Sequence, residues 1–249
     1  VGRDWRYTLS SERADDFDDG IVRFIPAGAE DVPAMAEIYR REPVRWLRPP
    51  SDFQNALVGR VMNRPASTFL MCEEGRLQGY VIVQDLSEAE TDSAQILEFA
   101  GDRKALVGSL GGLLRACNAK SLSVHVMGCD RPLQDLLKGR GLTGTSANAS
   151  GTALVIDFVQ FMERMRPHFT EIVGETAANG LVFSQLGDEM SVTYGGDRVV
   201  ICGAGAASEL IFGALDGAES AILGGGGKAG EVLAELFPLP ALWYGPNYV

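Results

Sequence analysis

The apolar residues between positions 21 and 158 repeat with two alternating periods. Some runs have every second residue apolar, as in a half-buried strand, and others have apolar residues three or four positions apart, as on one face of a helix. Residues 32–39 show the helical pattern, and Glu30 and Asp31 before them suit the positive end of a helix dipole. The predicted strands are 21–27, 67–74, 80–86, 93–101, 121–127 and 151–159, and the predicted helices are 30–42, 51–63, 103–117 and 131–141.

The pattern changes near residue 160, where we place a domain boundary. The predicted elements beyond it are a helix at 159–169, two or three strands within 181–203, helices at 206–215 and 228–237, and a proline-broken aromatic tail at 238–249. The chain therefore divides into a domain at 21–158 and a smaller domain at 159–249.

The first twenty residues fit neither domain. Trp5, Tyr7 and Leu9 alternate with polar residues, which is typical of a strand, but no partner strand is near in the sequence. An acidic, serine-containing segment follows as far as Gly20. We expect residues 1–20 to be the terminal strand of a preceding, missing domain, followed by an acidic linker.

The charge of the chain narrows the choice of partners. Its 249 residues carry 22 Lys and Arg against 33 Asp and Glu, a formal net charge of -11. Such a surface repels the phosphates of nucleic acids and anionic membrane surfaces, so we expect neither as a partner. A small cationic partner such as an amine suits it better, although many acidic surfaces serve only solubility.

The sequence shows no metal, disulfide or membrane signature. The four cysteines lie far apart beside apolar runs, with no histidine at ligand spacing, which is typical of buried, reduced thiols. No apolar run approaches the roughly 20 residues of a membrane span, and the N-terminus lacks a signal-peptide pattern. We expect a cytoplasmic chain without a metal.

Two glycine-rich segments imitate nucleotide-binding loops. Gly203-x-Gly205-x-x-Ser208 follows a strand and precedes a helix, but the third glycine of a dinucleotide fingerprint is missing. The Gly227–Lys228 pair is followed by Ala229, where a phosphate loop needs a Ser or Thr. We interpret both segments as turns.

The two histidines have no chemical partner in the sequence. His125 lies in the middle of a predicted strand, and His168 follows Pro167 in a predicted helix. A functional histidine needs a nucleophile or a metal as its partner, and neither is evident in the sequence. Both are expected to be structural.

The order of elements in 21–158 resembles the GNAT-fold N-acetyltransferases, in which two helices follow the first strand and an antiparallel meander leads into a helix. The smaller second domain and the tail LFPLPALWYGPNYV extend the resemblance to the whole chain. Together they are similar to the C-terminal portion of the Eis-like N-acetyltransferases, a degenerate second GNAT domain followed by a sterol-carrier-protein-like domain. The resemblance implies an α+β fold: a GNAT-like acyltransferase domain with a mixed sheet flanked by helices, then a small sterol-carrier-protein-like α+β domain.

One turn decides whether the GNAT-like domain can hold acetyl-CoA. In competent members of the family, the turn after the fourth strand reads Gln/Arg-x-x-Gly-x-Gly/Ala and binds the coenzyme pyrophosphate through backbone N–H groups. The equivalent place here, 99–105, reads FAGDRKA and contains a single glycine, Gly101. Asp102 puts a carboxylate where it competes for the same N–H groups, so we interpret it as a helix cap. The turn is predicted to hold no phosphate.

The resemblance also implies an activity for the complete enzyme. Eis-like enzymes transfer acetyl from acetyl-CoA to an amine, and their best-known members acetylate aminoglycosides. Their coenzyme site and tyrosine general acid belong to the first GNAT domain, which would precede this chain. We therefore expect no coenzyme-binding residue here, a cationic amine as substrate, and a homo-oligomer, since the family forms oligomers.

The candidate site residues lie in the C-terminal tail. In the family, the terminal carboxylate is placed in the active site of the first domain as the base, and here Val249 would supply it. Trp243, Tyr244 and Tyr248 are candidates for lining a substrate surface, with core or interdomain packing as the alternative.

Two other functions stay open. Sterol-carrier-like folds elsewhere bind lipids in an apolar tunnel, and segments 208–215 and 229–237 would line such a tunnel or else form the core of a small domain. The chain could also be a non-catalytic assembly scaffold.

Overall fold

The computed structural model describes residues 3–57, 60–61, 64–85, 92–148, 154–213 and 227–239. The described chain forms two compact units, one within residues 4–147 and the other within residues 148–239. Each unit combines helices with a sheet, so the α+β composition expected for both parts is observed. None of the helices described is both long and apolar enough to cross a membrane.

The described residues of the first unit form a mixed sheet of eight strands. Its strands are β1 (Arg3–Ser10), β2 (Val22–Pro26), β3 (Arg60–Val61), β4 (Arg64–Glu73), β5 (Arg76–Asp85), β6 (Ser93–Gly101), β7 (Ser121–Met127) and β8 (Thr145–Asn148). The order across the sheet is β2-β4-β5-β6-β7-β1-β8, with β3 paired to β4. Strands β4, β5 and β6 form the predicted antiparallel meander, whereas β6 and β7 are parallel.

Helices cover both faces of this sheet. They are α1 (Val32–Tyr39), α2 (Pro50–Ala56), α3 (Arg103–Val107), α4 (Leu110–Ala116) and α5 (Arg131–Gly139). On one face, Met35 of α1 and Phe53 of α2 pack with Tyr80 and Ile82 of β5. On the other face, the leucines of α3, α4 and α5 pack on β1, β6 and β7. Strand β7 alternates between buried and partly exposed residues along its whole length, as a strand under a helix layer should.

Residues 4–17 are an integral part of the first unit. Strand β1 pairs antiparallel with β7, with Tyr7 opposite Val124. Ser11–Phe17 forms a 3-10 helix whose Phe17 is fully buried. Arg140 binds Asp19 through two hydrogen bonds of 3.0 and 2.6 Å. The strand expected to belong to a preceding domain thus lies in this sheet, and the expected linker is docked on its helices.

Two predicted elements near the end of this unit are corrected. The helix predicted at 103–117 is broken into α3 and α4, because the Ser109 hydroxyl bonds the carbonyls of Ala105 and Leu106 at 2.6 and 3.1 Å. The strand predicted at 151–159 is not observed in the described residues from 154 onward, and the last strand is β8.

The second unit has a three-stranded antiparallel sheet and four helices among its described residues. Its strands are β9 (Val182–Leu186), β10 (Glu189–Tyr194) and β11 (Asp197–Cys202), and its helices are α6 (Phe158–Val173), α7 (Glu175–Gly180), α8 (Ala204–Phe212) and α9 (Gly227–Leu236). The strand order is β11-β10-β9, so the strands predicted within 181–203 are confirmed. The core centres on Phe169, Val192, Leu210 and Leu233, all fully buried.

The four cysteines form no disulfide with one another, and they are not all buried. Cys72 and Cys117 are partly buried, whereas Cys129 and Cys202 are exposed. The prediction of burial is therefore wrong for Cys129 and Cys202, because each lies where its strand or turn faces outward.

Candidate functional site

The parallel strands β6 and β7 form a cleft in the first unit. They pair from Ser93 with Ser121 to Ile96 with Val124. Past these pairs the two described strands separate, and the space between them contains a cavity of about 40 Å³. Among the residues lining it are five acidic or basic side chains: Glu42, Glu98, Arg103, His125 and Asp130. This volume admits a few water molecules, whereas ligand pockets commonly reach about 300 Å³ or more.

The turn at the end of β6 is closed by local contacts. Gly101 has a φ of 121°, and an added Cβ there would collide with the Gln78 carbonyl of the neighbouring strand. The Asp102 N–H donates to the same carbonyl at 2.9 Å. The Asp102 carboxylate accepts the Ala105 N–H at 2.8 Å, so the predicted helix cap is confirmed.

Glu42 fills the mouth of the cleft with a carboxylate. Its Oε1 accepts the Gly101 N–H at 2.8 Å. The Arg103 guanidinium donates to both carboxylate oxygens of Glu42, at 2.8 and 2.6 Å. Arg103 also donates to Asp130 at 3.1 Å and to the Gly101 carbonyl at 2.8 Å. The side chains of Glu42 and Arg103 are only 10% and 22% exposed.

This arrangement keeps Arg103 charged. Burial lowers the pKa of Arg103, but the hydrogen bonds and attraction from Glu42 and Asp130 raise it more, and the net pKa lies above its usual value. Arg103 therefore stays a cation, and its charge is shared between two carboxylates. The carboxylates of Glu42 and Asp130 outnumber the single guanidinium, which disfavours the binding of any further anion.

A second ion pair lies deeper in the same face of the sheet. Arg48 donates to both carboxylate oxygens of Glu98, at 2.8 and 2.7 Å, and the two side chains are 1% and 8% exposed. The Tyr80 hydroxyl donates to Glu98 at 2.6 Å. Burial, the charge of Glu98 and this hydrogen bond hold the pKa of Tyr80 well above its usual value. The Arg48 guanidinium also lies 4.3 Å from the ring centre of Tyr39.

The two ion pairs fasten one connecting segment, residues 40–49, which we call the strap. It joins α1 to α2 and supplies Glu42 to one pair and Arg48 to the other. The Trp46 N–H donates to the Tyr39 hydroxyl at 2.9 Å. Between these anchors the strap is open to solvent, with Trp46 41% and Leu47 96% exposed.

His125 meets an acid that its sequence position did not suggest. Its Nε2 lies 3.1 Å from Asp4 Oδ2, which comes from the paired strand β1. His168 lies in α6, with its ring centre 6.4 Å from that of Phe169. Across the part of the chain that the structure describes, no three His, Cys, Asp or Glu side chains are grouped to hold a metal ion.

The first glycine-rich segment is a turn, as predicted, whereas the Gly227–Lys228 pair lies in the first turn of a helix and that prediction is wrong. Gly203 begins the turn from β11 to α8, and its N–H donates to the Asp188 carbonyl at 2.8 Å. The Ser208 hydroxyl donates to the Ala204 carbonyl at 2.9 Å and is engaged in its own helix. Gly227 begins α9, and residues 222–226 lie outside the described residues.

The C-terminal candidates also lie outside the described residues: Trp243, Tyr244, Tyr248 and Val249. Their assignment stays a prediction. The site that the structure assembles instead consists of Glu42, Arg103 and Asp130 at the mouth and Arg48 and Glu98 within. Glu98 gives a local signal, because it is a charged residue in the apolar run QILEFAG and therefore needs a buried partner. Glu42 gives none.

Solved structures resemble this chain in fold. A GCN5-related N-acetyltransferase from Anabaena variabilis matches 98% of this chain and 68% of its own, with 11% identity and a TM-score of 0.56. One from Kribbella flavida matches 100% of this chain and 65% of its own, with 15% identity and a TM-score of 0.52. Eis1 from Mycobacterium abscessus matches 59% of this chain and 40% of its own, with 17% identity and a TM-score of 0.41. No known protein family model and no curated protein matches the chain.

The fold is therefore that of the GCN5-related N-acetyltransferases. At 11% and 15% identity the first two likenesses show the fold and leave the activity open, and the third is too weak to carry an argument. The GNAT-like fold with a mixed sheet flanked by helices, predicted from the order of elements, is confirmed. The chain spans about two thirds of the length of the first two proteins, 68% and 65%.

Proposed function

We propose that this chain is the C-terminal portion of an Eis-like GNAT-family N-acetyltransferase that transfers acetyl from acetyl-CoA to a cationic amine, such as an aminoglycoside-like acceptor. The coenzyme would bind in a preceding GNAT domain. This portion would contribute to the acceptor pocket and supply the C-terminal carboxylate. The cytoplasmic location and the homo-oligomer expected from the sequence belong to the same proposal.

The observation that carries the proposal is the occupied cleft between β6 and β7. A coenzyme pyrophosphate needs free backbone N–H groups and positive charge. Here Glu42 takes the Gly101 N–H and Asp102 takes the Ala105 N–H. Two unit charges about 4 Å apart near a protein surface interact by about 4 kcal/mol, so these carboxylates oppose a second anion strongly. This supports our proposal that the coenzyme binds in another domain.

The chemistry of acetyl transfer determines which group the C-terminal tail must supply. The unprotonated amine attacks the thioester carbonyl, the carbon–sulfur bond breaks, coenzyme A leaves as a thiolate, and the amine loses a proton to a base. We assign that proton to the terminal carboxylate of Val249, with Trp243, Tyr244 and Tyr248 beside the acceptor. An ordinary α-carboxyl has a pKa of roughly 3.3 to 3.7. The role therefore requires an apolar surrounding that raises this pKa.

The second unit is assigned to the sterol-carrier-like domain of that architecture. Its three-stranded antiparallel sheet with flanking helices supports the assignment. Leu210 and Ile211 of α8 and Leu233 of α9 are fully buried in its core. These are residues that a lipid tunnel would need as its lining, so their place in the core favours a structural role over lipid binding.

Calorimetric titration of the chain with acetyl-CoA tests the proposal. We expect no heat of binding at micromolar concentrations, because the turn at 99–105 is closed. Micromolar binding would contradict the division between a coenzyme domain and this portion. The same titration with a fatty-acyl probe tests the lipid-binding alternative. Light scattering of the chain measures its oligomeric state.

A further inference from the structure

The Glu42 carboxylate is held by donors of the kind that bind a carboxylate ligand. It receives two hydrogen bonds from the Arg103 guanidinium and one from the Gly101 N–H, with lengths between 2.6 and 2.8 Å. The parallel fork of an arginine matches the two oxygens of a planar carboxylate. Glu42 reaches this place from the strap, 61 positions away from Arg103 in the sequence. It therefore binds much as a separate carboxylate ligand would, except that it is tethered.

We propose that the mouth of the cleft is a carboxylate-binding site, that Glu42 is its resident intramolecular ligand, and that a carboxylate-bearing ligand replaces Glu42 when the strap opens. This inference goes beyond the proposed function, since neither acetyl transfer nor coenzyme binding requires it. The ligand is identified by its chemistry, a singly charged planar anion. Its donors are the Arg103 guanidinium and the Gly101 N–H.

The strap is anchored unequally at its two ends. Arg48 and Glu98 are 1% and 8% exposed and carry an additional hydrogen bond from Tyr80. Glu42 and Arg103 are 10% and 22% exposed and lie at the solvent side of the cleft. Water and ions therefore compete better for the Glu42 end. The strap is built to open there while Arg48 holds the other end.

The surroundings select a carboxylate over a phosphate. Asp130 shares Arg103 at 3.1 Å, and Asp102 caps the helix that begins beside the site. Against these two acids, a doubly charged phosphate meets more repulsion than a singly charged carboxylate. The cavity of about 40 Å³ behind the site also suits a small group rather than a bulky one.

Removal of the tethered ligand tests the inference. In Glu42→Ala, acetate should bind with a dissociation constant of about 1 to 10 mM, an affinity attainable for so small a ligand. The Gly101 amide resonance should shift in a saturable way when acetate replaces chloride at constant ionic strength. If the strap of the wild type is closed about 99% of the time, its apparent affinity for acetate is about 100-fold lower.

Matched variants distinguish a site from a general salt effect. Glu42→Ala combined with Arg103→Ala should lose the acetate response, and inorganic phosphate should give none in Glu42→Ala. Glu37→Ala removes an exposed carboxylate that pairs with two arginines of the same region, and it should behave as the wild type. Equal shifts with acetate, chloride and phosphate would overturn the proposal.

A less disruptive variant covers the case in which Glu42→Ala does not fold. Glu42→Gln keeps the shape of the side chain and loses its charge, so it should be displaced by acetate more easily than Glu42 is. Acetate binding no tighter to Glu42→Gln than to the wild type would count against the inference. Titration of the same variants with acetyl-CoA tests the proposed function separately from the carboxylate site. Acetate binding without acetyl-CoA binding would support the carboxylate site and leave the proposed function intact.

Discussion

Arg48 of the strap and Glu98 of β6, fifty positions apart, form an ion pair with two hydrogen bonds of 2.8 and 2.7 Å. Both side chains are nearly inaccessible to solvent. A buried charge that loses its partner is destabilising by about 3 to 5 kcal/mol, whereas replacing both charges by apolar groups is often neutral. The pair therefore constrains the fold more than it stabilises it.

This gives a double-variant prediction for the free energy of unfolding. Arg48→Met should lower it by about 3 to 5 kcal/mol, because Glu98 is left buried without its cation. Arg48→Met combined with Glu98→Leu should recover most of that loss. Urea denaturation measures both. Arg41→Ala, which breaks the exposed pair with Glu37 at 3.2 Å, should cost at most about 1 kcal/mol. Equal losses in the single and double variants would contradict the argument.

Alkaline pH should destabilise the chain through its buried tyrosines. Burial and the charge of Glu98 raise the pKa of Tyr80 and of Tyr39 in the folded state. In the unfolded chain these tyrosines ionise near pH 10, so above that pH the unfolded state holds fewer protons than the folded one. The free energy of unfolding should therefore be unaffected by them below pH 10 and fall above it.

The slope of that fall is measurable. Each such tyrosine contributes up to about 1.4 kcal/mol per pH unit. Tyr80→Phe should fall less steeply between pH 10 and 11.5 than the wild type, although it starts lower because it loses the hydrogen bond to Glu98. An unchanged slope in Tyr80→Phe would show that Tyr80 titrates normally.

Two neighbouring glycines of α4 provide a matched pair. An added Cβ at Gly111 would collide with the carbonyl oxygen of Ala14 in the 3-10 helix, whereas at Gly112 the nearest atom, Asp18 Oδ2, is 3.4 Å away. Gly111→Ala should therefore lower the free energy of unfolding by about 1 to 3 kcal/mol. Gly112→Ala should leave it unchanged or raise it by up to about 1 kcal/mol, since Ala favours a helix. Similar effects at the two positions would mean that residues 11–17 are not docked on α4.

Some local elements of the fold could be predicted from the sequence, and others could not. Strand β7 coincides with the predicted 121–127, because a strand under a helix layer must alternate. The predicted strand at 151–159 failed because Leu154 and Ile156 are apolar but 66% and 87% exposed, so the pattern there does not report a buried face. Asp102 was predictable as a cap, since a cap depends only on the next three residues.

The contacts of Glu42 could not be predicted from the sequence. A cap or a strand is set by neighbours, whereas Glu42 meets Arg103 only after the sheet has formed and α1 has packed on it. One chain by itself carries no sign of such a distant pair. The GNAT-like order of strands was predictable, and the side chains that close its cleft were not.

Asp102 and Glu42 are expected to close the turn independently. Asp102→Ala removes the cap of α3 and should lower the free energy of unfolding by about 0.5 to 2 kcal/mol, whereas Asp102→Asn should cost little because asparagine caps equally well. Neither variant should gain acetyl-CoA binding, since Glu42 still takes the Gly101 N–H. Calorimetry checks this, and micromolar coenzyme binding by Asp102→Asn would show that the Asp102 charge alone closes the turn.

The proposed role of the C-terminus is best tested in the complete enzyme, with its preceding domain. Removal of residues 247–249 should lower kcat for acetyl transfer by about 100-fold or more, the usual contribution of a positioned base. Acetyl-CoA binding should not change if, as proposed, the coenzyme site lies in another domain. Addition of one glycine after Val249 is a sharper control, since it keeps every side chain and moves only the carboxylate. If a carboxylate is the base, the acidic limb of the pH–rate profile should shift in the extended enzyme, and full activity with an unchanged profile in both variants would remove Val249 from the mechanism.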